Sequence, residues 1–208
     1  AGYSYYHGLQ AQIEKRFSNG LTFQSSYTYS KFMEATSYLN ETDSFVYKSL
    51  SDLDYTQRFV VTGVYELPFG RGRKYGTNVH RALDLIAGGW QLEGMYEGQT
   101  GEPLGFGNAI FNGDIKNIEL PKNQRSTDRW FNTGAGFERA NANRLDWNIR
   151  TFPLRFSNVR ADGINNLDAS IAKNFRLTER YTAQFRMESY NAANHVQFAN
   201  PNTDPFNT

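Results

Sequence analysis

The sequence predicts an all-β protein, an antiparallel up-and-down meander of about six long strands. Three observations predict this fold. Apolar and polar residues alternate with a period of two over runs of about ten residues, which is typical of strands with two unlike faces. Short polar breaks join some of these runs into hairpins. Long segments without any period separate the other runs, and they fall on every second connection.

The clearest pattern covers residues 166–190, where two alternating runs meet at the break Thr178-Glu179-Arg180. Apolar residues dominate one face of both runs, including Leu167, Ile171, Phe175, Phe185 and Met187. A strand of a soluble sheet usually has about 5–6 residues. A tilted strand needs about 9–11 residues to cross a bilayer. The length of these runs therefore favours strands that span a membrane.

Four further strands precede this hairpin, and they are predicted over residues 3–17, 21–30, 58–67 and 90–98. The first two are joined through Asn19-Gly20, a strong signal for a tight hairpin turn. A turn cluster is predicted over residues 68–73 and a short helical turn over residues 80–87. The remaining segments are polar or rich in Gly, Asn and Pro, and they are predicted to be loops: 31–57, 100–164 and 192–208.

In such a meander, alternate connections lie at the same end of the sheet. All the long loops therefore gather at one rim and the shorter turns at the other. Loops above about 15 residues are uncommon in compact soluble domains, whereas outer-membrane barrels combine long outer loops with short periplasmic turns. Because about eight strands is the lower limit for closing such a barrel, the six strands are predicted to be part of a larger transmembrane β-barrel.

The predicted lipid-facing positions carry few ionisable residues, namely His7, Lys15 and Lys173. A lysine at the middle of a bilayer costs about 2–4 kcal/mol, and about 0–1 kcal/mol near the interface. Lys15 lies close to a strand end, where its amine can extend to the interface. Lys173 lies nearer the middle of its strand and is the position that fits this assignment least well.

Composition excludes several classes. The formal charge of +1 does not select nucleic acid as a partner. Mean hydropathy is −0.65 and no apolar run approaches the length of a transmembrane helix. The chain contains 0 Cys, so it has no disulfide and no thiolate metal site.

Sequence motifs for catalysis or cofactor binding are also missing. His7, His80 and His195 are too scattered for a metal-ligand motif, and no G-x-S-x-G motif is present. The basic segment Gly70-Arg71-Gly72-Arg73-Lys74 lacks the setting of a phosphate-binding loop and is predicted to be a turn. We therefore expect no catalytic residue, no metal, no cofactor and no enzymatic activity.

The polar face of the strands supplies the candidate functional residues. Those predicted to face the barrel lumen are Gln10, Gln12, Glu14, Gln24, Glu93, Glu97, Asp168, Arg186 and Glu188. They either contact a solute or an internal plug, or form a solvated, salt-bridged wall. Trp130 and Phe131, in the longest loop, are candidates for contacting a solute, since exposed aromatic rings stack on sugars or peptides. They could equally anchor the loop to itself.

Several blocks of sequence resemble the barrel of Oar-like TonB-dependent receptors. They are Y-H-G-L-Q-A-Q-I-E-K-R-F-S-N-G-L-T-F-Q-S-S-Y-T-Y-S-K at 6–31, Q-R-F-V-V-T-G-V-Y-E-L-P-F-G-R-G-R at 57–73, G-G-W-Q-L-E-G at 88–94, and the segment 174–202 from N-F-R-L-T-E-R to Y-N-A-A-N-H-V-Q-F-A-N-P-N. Together they cover about half of the chain in the expected order. The resemblance transfers no substrate-binding residue, because the family has no fixed motif for one.

The resemblance implies a barrel in the bacterial outer membrane that imports a large solute with energy supplied through TonB. Its partners would be outer-membrane lipid, the TonB complex through an N-terminal plug, and a solute that the sequence does not identify. Neither a plug nor a final strand is recognisable, and both ends look cut, so residues 1–208 are expected to be a partial barrel.

Three alternatives remain open. A passive porin or a structural or adhesive barrel would need no plug. An outer-membrane hydrolase would need a nucleophile and a base clustered at the rim. A soluble sandwich would bury the apolar faces between two stacked sheets.

Overall fold

The computed structural model describes residues 1–143 and 148–204; residues 205–208 of the predicted terminal loop lie outside this range. The regular elements, in chain order, are β1 (Tyr3–Ser18), β2 (Leu21–Ser37), β3 (Tyr47–Leu50), β4 (Gln57–Glu66), α1 (Arg81–Ala87), β5 (Trp90–Gln99), β6 (Ile164–Arg176) and β7 (Thr182–Ser189). Among the described residues between β5 and β6, short 3₁₀ helices lie at Ile115–Ile118, Lys122–Gln124 and Asn141–Asn143.

The strands form one antiparallel sheet in the order β1-β2-β4-β5-β6-β7, and β3 pairs with the far end of β2. The predicted fold class is therefore confirmed. The sheet is open, because β1 and β7 are each paired on one side only within the described part of the chain. The four-residue β3 was not predicted, since Tyr47–Leu50 is too short to show a period.

The strand register separates the two faces of the sheet. Leu92 lies opposite Ile171, which lies opposite Met187, so these apolar residues share one face. Glu93, Ser170 and Glu188 are paired in the same way on the other face. Large apolar side chains such as Leu9, Ile13, Phe185 and Met187 are exposed. No second sheet covers them among residues 1–143 and 148–204, which is incompatible with a sandwich.

The first hairpin turns through Asn19 and Gly20, at φ angles of 53° and 80°. A left-handed backbone at both central positions matches the twist of the adjoining strands, as predicted from the Asn-Gly pair. Gly20 also lies against the neighbouring strand, since a Cβ at this position would be 2.7 Å from the carbonyl oxygen of Glu66.

β2 is longer than predicted. The sequence indicated a loop from residue 31 onward, but the strand continues to Ser37 and has 17 residues. Its last part is fixed by pairing on both sides, with Met33 opposite Tyr5 in β1 and opposite Leu50 in β3. Tertiary pairing outweighs the weak local pattern here.

The longest connection, predicted to be a loop, contains the main hydrophobic core of the molecule. Its buried residues are Leu104, Phe106, Ala109, Ile118, Phe131, Phe137, Phe152, Phe156, Val159 and Ala161. Ring centroids are separated by 4.6 Å for Phe106 and Phe131, and by 5.1 Å for Phe106 and Phe137. We call this segment, residues 100–163, the packed loop. Its described residues, 100–143 and 148–163, have little regular secondary structure, and burial of their aromatic side chains holds them together.

The connections differ between the two rims. Segments 38–56, 100–163 and 190–204 leave one end of the sheet, which we call the long-loop rim. Residues 19–20, 67–89 and 177–181 form the short-turn rim. The predicted asymmetry holds only in part, because the connection 67–89 at the short-turn rim is longer than the segment 38–56 at the long-loop rim. The connection 67–89 is the longest at its rim because it includes α1, which confirms the helical turn predicted over residues 80–87.

Lys173 proves compatible with the apolar face because it lies beside the short-turn rim. Its side chain is only 3% exposed, and its ammonium group donates a hydrogen bond to the carbonyl oxygen of Gly88. The rings of Trp90 and Phe175 each lie 5.2 Å from Nζ. The hydrogen bond to the carbonyl oxygen and the contacts with two aromatic rings partly offset the free-energy cost of burying this cation.

Candidate functional site

All nine residues predicted to face the lumen lie on the same face of the sheet. In the strand register, Glu14 lies opposite Gln24. The same transverse row continues across the sheet through Thr62 and Met95 to Asp168. The others occupy equivalent rows: Gln10, Gln12, Glu93, Glu97, Arg186 and Glu188. The structure thus brings them together, and their exposure to a lumen stays a prediction.

This face lines a cavity of about 400 Å³. Each strand of the six-strand path contributes to it, through Glu14, Gln24, Thr62, Glu93, Asp168 and Glu188. A cavity shared by all six strands requires the sheet to curve with its polar face inward. We call this surface the concave face. Its cavity is lined by four carboxylates and can accept hydrogen bonds or attract cationic groups.

One ion-pair network crosses three strands of the concave face. Arg186 Nη2 lies 3.2 Å from Glu93 Oε1, and Arg186 Nη1 lies 3.5 Å from Glu188 Oε1. Ser170 Oγ donates to Glu93 Oε2 at 3.2 Å, and the hydroxyl of Tyr190 donates to Glu188 Oε2 at 3.1 Å. These groups are half-exposed, so their pairing contributes little stability. It orients the wall side chains and leaves the network with a net negative charge.

A second pair lies nearer the long-loop rim, where Arg58 Nη2 is 2.8 Å from Glu97 Oε1. Sequence periodicity identified Glu97 but not Arg58, which begins the predicted strand. The concave face therefore carries both signs of charge at more than one height. Such a surface suits hydrogen bonding to a polar solute or to another polar protein segment.

The long-loop rim is joined by a buried ion pair. Arg160 Nη2 lies 2.7 Å from Asp54 Oδ2, and Asp54 is 1% exposed. The same carboxylate accepts hydrogen bonds from the backbone N–H of Phe32 at 2.7 Å and from the hydroxyl of Thr56 at 3.2 Å. Arg160 Nη1 also donates to the carbonyl oxygens of Asp54 and Gly101. This pair fixes the packed loop to the β3–β4 connection.

Two more arginines of the packed loop make related contacts, of which only that of Arg155 includes a carboxylate. Arg155 Nη1 donates to Glu34 Oε1 at 2.8 Å and to the carbonyl oxygen of Leu50 at 2.9 Å. Arg150 is buried and donates to the carbonyl oxygens of Phe152 and Pro153, at 3.1 and 2.6 Å. Burial lowers the pKa of Arg150 to about 10, so its guanidinium remains charged at neutral pH.

The backbone of Arg150 exchanges two hydrogen bonds with the side chain of Asn40. Arginines 150, 155 and 160 therefore attach the packed loop to the segments that flank β3. These arginines were not predicted as functional residues, although their regular spacing of five residues is visible in the sequence.

Trp130 and Phe131 lie in different environments. Phe131 is 5% exposed and packs inside the aromatic cluster, so it anchors the loop, and contact with a solute would require the cluster to open. Trp130 is partly buried, and its indole N–H donates to the carbonyl oxygen of Arg160 at 2.8 Å. One side of its ring meets Phe198 at 6.2 Å. The guanidinium of Arg125 lies 5.9 Å from the centroid of the same ring, so Trp130 is also packed within the rim, although it is less buried than Phe131.

The segment after β7 folds back toward the same rim. Asn191, at a φ of 48°, uses its backbone N–H to donate to Asp168 Oδ1 at 2.9 Å. The N–H of Phe198 donates to Asp162 Oδ2 at 3.0 Å. Asp168 therefore lines the concave face and also holds the segment that follows β7. The sequence identified it only as a wall residue.

The described residues hold neither a candidate metal site nor a candidate membrane-spanning helix. In residues 1–143 and 148–204, no group of three His, Cys, Asp or Glu side chains has an arrangement that could hold a metal ion. No helix within these ranges is long and apolar enough to cross a membrane.

Comparison with known proteins gives one match. The model of a family described as an outer membrane beta barrel domain matches residues 1–208. No curated protein and no solved structure matches the chain. The matched length covers every strand, the concave face and both rims. The chain therefore belongs to the outer membrane beta barrel domain family, and its location is the bacterial outer membrane.

Proposed function

We propose that this chain forms the wall and outer loops of a TonB-dependent transporter that imports a large solute without a catalytic step. The observation that carries this proposal is the concave polar face beneath a rim of long, packed loops. Ion-paired side chains of Glu93, Arg186 and Glu188 give this face a fixed polar surface. The loops at the rim supply a surface for solute capture, in which Trp130 is the first candidate.

The open edges of the sheet support the idea of a larger barrel. The edge of β1 that faces away from β2 runs along 16 residues, and unpaired backbone groups of this kind are costly in a bilayer. Additional strands would satisfy them and close the wall around a lumen. The resemblance of residues 6–31 and 57–73 to Oar-like receptors supports coupling to TonB.

The experiment uses the complete gene product reconstituted in planar bilayers. A transporter whose lumen is blocked by a plug is expected to show no steady conductance until the plug is unfolded with urea. It is also expected to bind the purified periplasmic domain of TonB. Continuous conductance without TonB binding would instead identify a passive channel built on the same wall. Hydrolysis of a chromogenic ester by the same preparation would favour an outer-membrane hydrolase.

A further inference from the structure

The helix α1 has no buried residue. Leu83 and Ile86 are 58% and 72% exposed, and Leu85 is exposed as well. Isolated helices shorter than about 12–15 residues are marginal in water, and α1 has only 7 residues. A short helix that presents its largest apolar side chains outward is typical of a segment that is stabilised by contact with another apolar phase.

The contacts of α1 show which side of the sheet it occupies. The indole N–H of Trp90 donates to the carbonyl oxygen of Ile86 at 2.9 Å, and Lys173 donates to that of Gly88. Trp90 and Lys173 are register partners on the apolar face of the sheet. The exposed ring of Phe185 lies opposite Lys173 on the same face. The carboxyl end of α1 therefore lies beside the lipid-facing side of the barrel wall, next to Trp90 and Lys173. Leu85 and Arg81 instead line a cavity that includes Glu66 and Gln91 of the concave face, whereas Leu83 and Ile86 do not line it.

The connection that contains α1 is basic. Residues 67–89 include Arg71, Arg73, Lys74 and Arg81 against Asp84, which gives 4 − 1 = +3. Arg73 is paired with Glu66, at 2.8 Å from Nη2 to Oε2. The other three cations are exposed. Within the described ranges, none of these three forms an ion pair with a carboxylate, so their charge is available to an external anion.

We propose that residues 69–87 form an interfacial foot that binds anionic phospholipid headgroups at the short-turn rim. Leu83 and Ile86 would enter the boundary between headgroups and acyl chains, while Arg71, Lys74 and Arg81 contact phosphates. Binding of this kind strengthens with the apolar area that enters the interface and with the electrostatic attraction of nearby cations to anionic lipid. Each cation near an anionic surface strengthens binding by about fivefold. The inference rests on the proposed function for its placement of this rim in the membrane.

The first experiment measures the polarity around α1. Because the chain contains 0 Cys, a single engineered cysteine can be labelled with an environment-sensitive fluorophore. Ile86→Cys probes the foot, and Leu53→Cys, at an exposed leucine of the long-loop rim, is the matched control. With the full chain in phosphatidylcholine vesicles that contain phosphatidylglycerol, we expect a blue-shifted emission at residue 86 only. Water-like emission at both positions would overturn the proposal.

The second experiment removes charge. The variant Arg71→Gln/Lys74→Gln/Arg81→Gln is compared with Lys116→Gln/Lys122→Gln/Arg129→Gln, which removes three exposed cations from the packed loop. The foot variant is expected to need at least about tenfold more phosphatidylglycerol-containing vesicles for half-maximal association. The control variant should behave like the wild-type chain. Equal effects of the two variants, or no effect of the first, would contradict the proposal.

The two proposals fail differently. A chain that inserts into pure phosphatidylcholine vesicles, but gains nothing from phosphatidylglycerol, disproves the foot and leaves the barrel wall intact. A chain that inserts into neither kind of vesicle counts against both.

Discussion

Asp54 and Arg160 form a buried ion pair that joins two loops far apart in the sequence, with 2.7 Å between Oδ2 and Nη2. Five groups surround the carboxylate and guanidinium so that the charges are both paired and hydrogen-bonded. Burying charges is costly, so the stability of such a pair depends on keeping every partner in place. The pair therefore makes the arrangement of the long-loop rim sensitive to a single substitution.

Removing the cation alone tests this dependence. Arg160→Ala is expected to destabilise the packed loop by about 3–5 kcal/mol, because it leaves the Asp54 carboxylate buried without its counter-ion. Amide hydrogen exchange over residues 100–163 would measure the loss. Arg129→Ala, an exposed arginine of the same loop, is the control and should change little. The double variant Asp54→Asn/Arg160→Ala should recover part of the lost stability, because it leaves no unpaired charge. Unchanged amide hydrogen exchange in Arg160→Ala would show that the ion pair does not hold the packed loop in place.

The first hairpin provides a test of backbone geometry. Gly20→Ala forces an alanine into a left-handed conformation, which costs about 1–2 kcal/mol, and its Cβ would be 2.7 Å from the carbonyl oxygen of Glu66. Gly72→Ala is a matched control, because Gly72 has a φ of 71° but no atom within 4 Å of the added Cβ. Urea titration in detergent micelles is expected to show a larger loss of unfolding free energy for Gly20→Ala. Equal losses would exclude the steric contribution.

The sequence predicted the sheet well because each long strand has unlike faces, so the period of two survives in the chain itself. Its predictions were weakest where pairing with distant residues decides the structure. The extension of β2 to Ser37 and the short β3 depend on each other. The packed loop was missed as a core, since its phenylalanines follow neither a helical nor a strand period. Arg160 could not be assigned to Asp54 from one sequence, because 106 positions separate them.

The contact between Lys173 and Gly88 leads to a third prediction. Lys173→Met keeps an unbranched side chain of similar length but removes the donor to the Gly88 carbonyl oxygen. Loss of the partner of a buried group costs about 1–3 kcal/mol, so the connection that carries α1 should loosen. A shift of Trp90 emission toward longer wavelength, in a background where Trp130 and Trp147 are replaced by Phe, would report it. Lys15→Met, on the same face but with no comparable contact to any residue that the structure describes, should leave the emission unchanged.

The last prediction tests which face of the wall is wet. Single cysteines are placed at neighbouring positions of β7, Arg186→Cys and Phe185→Cys, and of β1, Gln12→Cys and Ile13→Cys. In vesicles, a water-soluble thiol reagent is expected to modify the cysteines at 186 and 12 readily, because the concave face borders water and the reactive thiolate forms there. The cysteines at 185 and 13 should react slowly, since lipid surrounds them and disfavours the charged thiolate.

Unfolding each variant in urea provides the control, because all four thiols should then react alike. Fast modification at 185 and 13 with slow modification at 186 and 12 would invert the assignment of the two faces. Equal rates at all four positions in vesicles would mean that the strands lie outside the bilayer. Adjacent residues of one strand lie at nearly the same depth in the bilayer but point to opposite faces of the sheet. A difference in their modification rates therefore reports which face each side chain occupies.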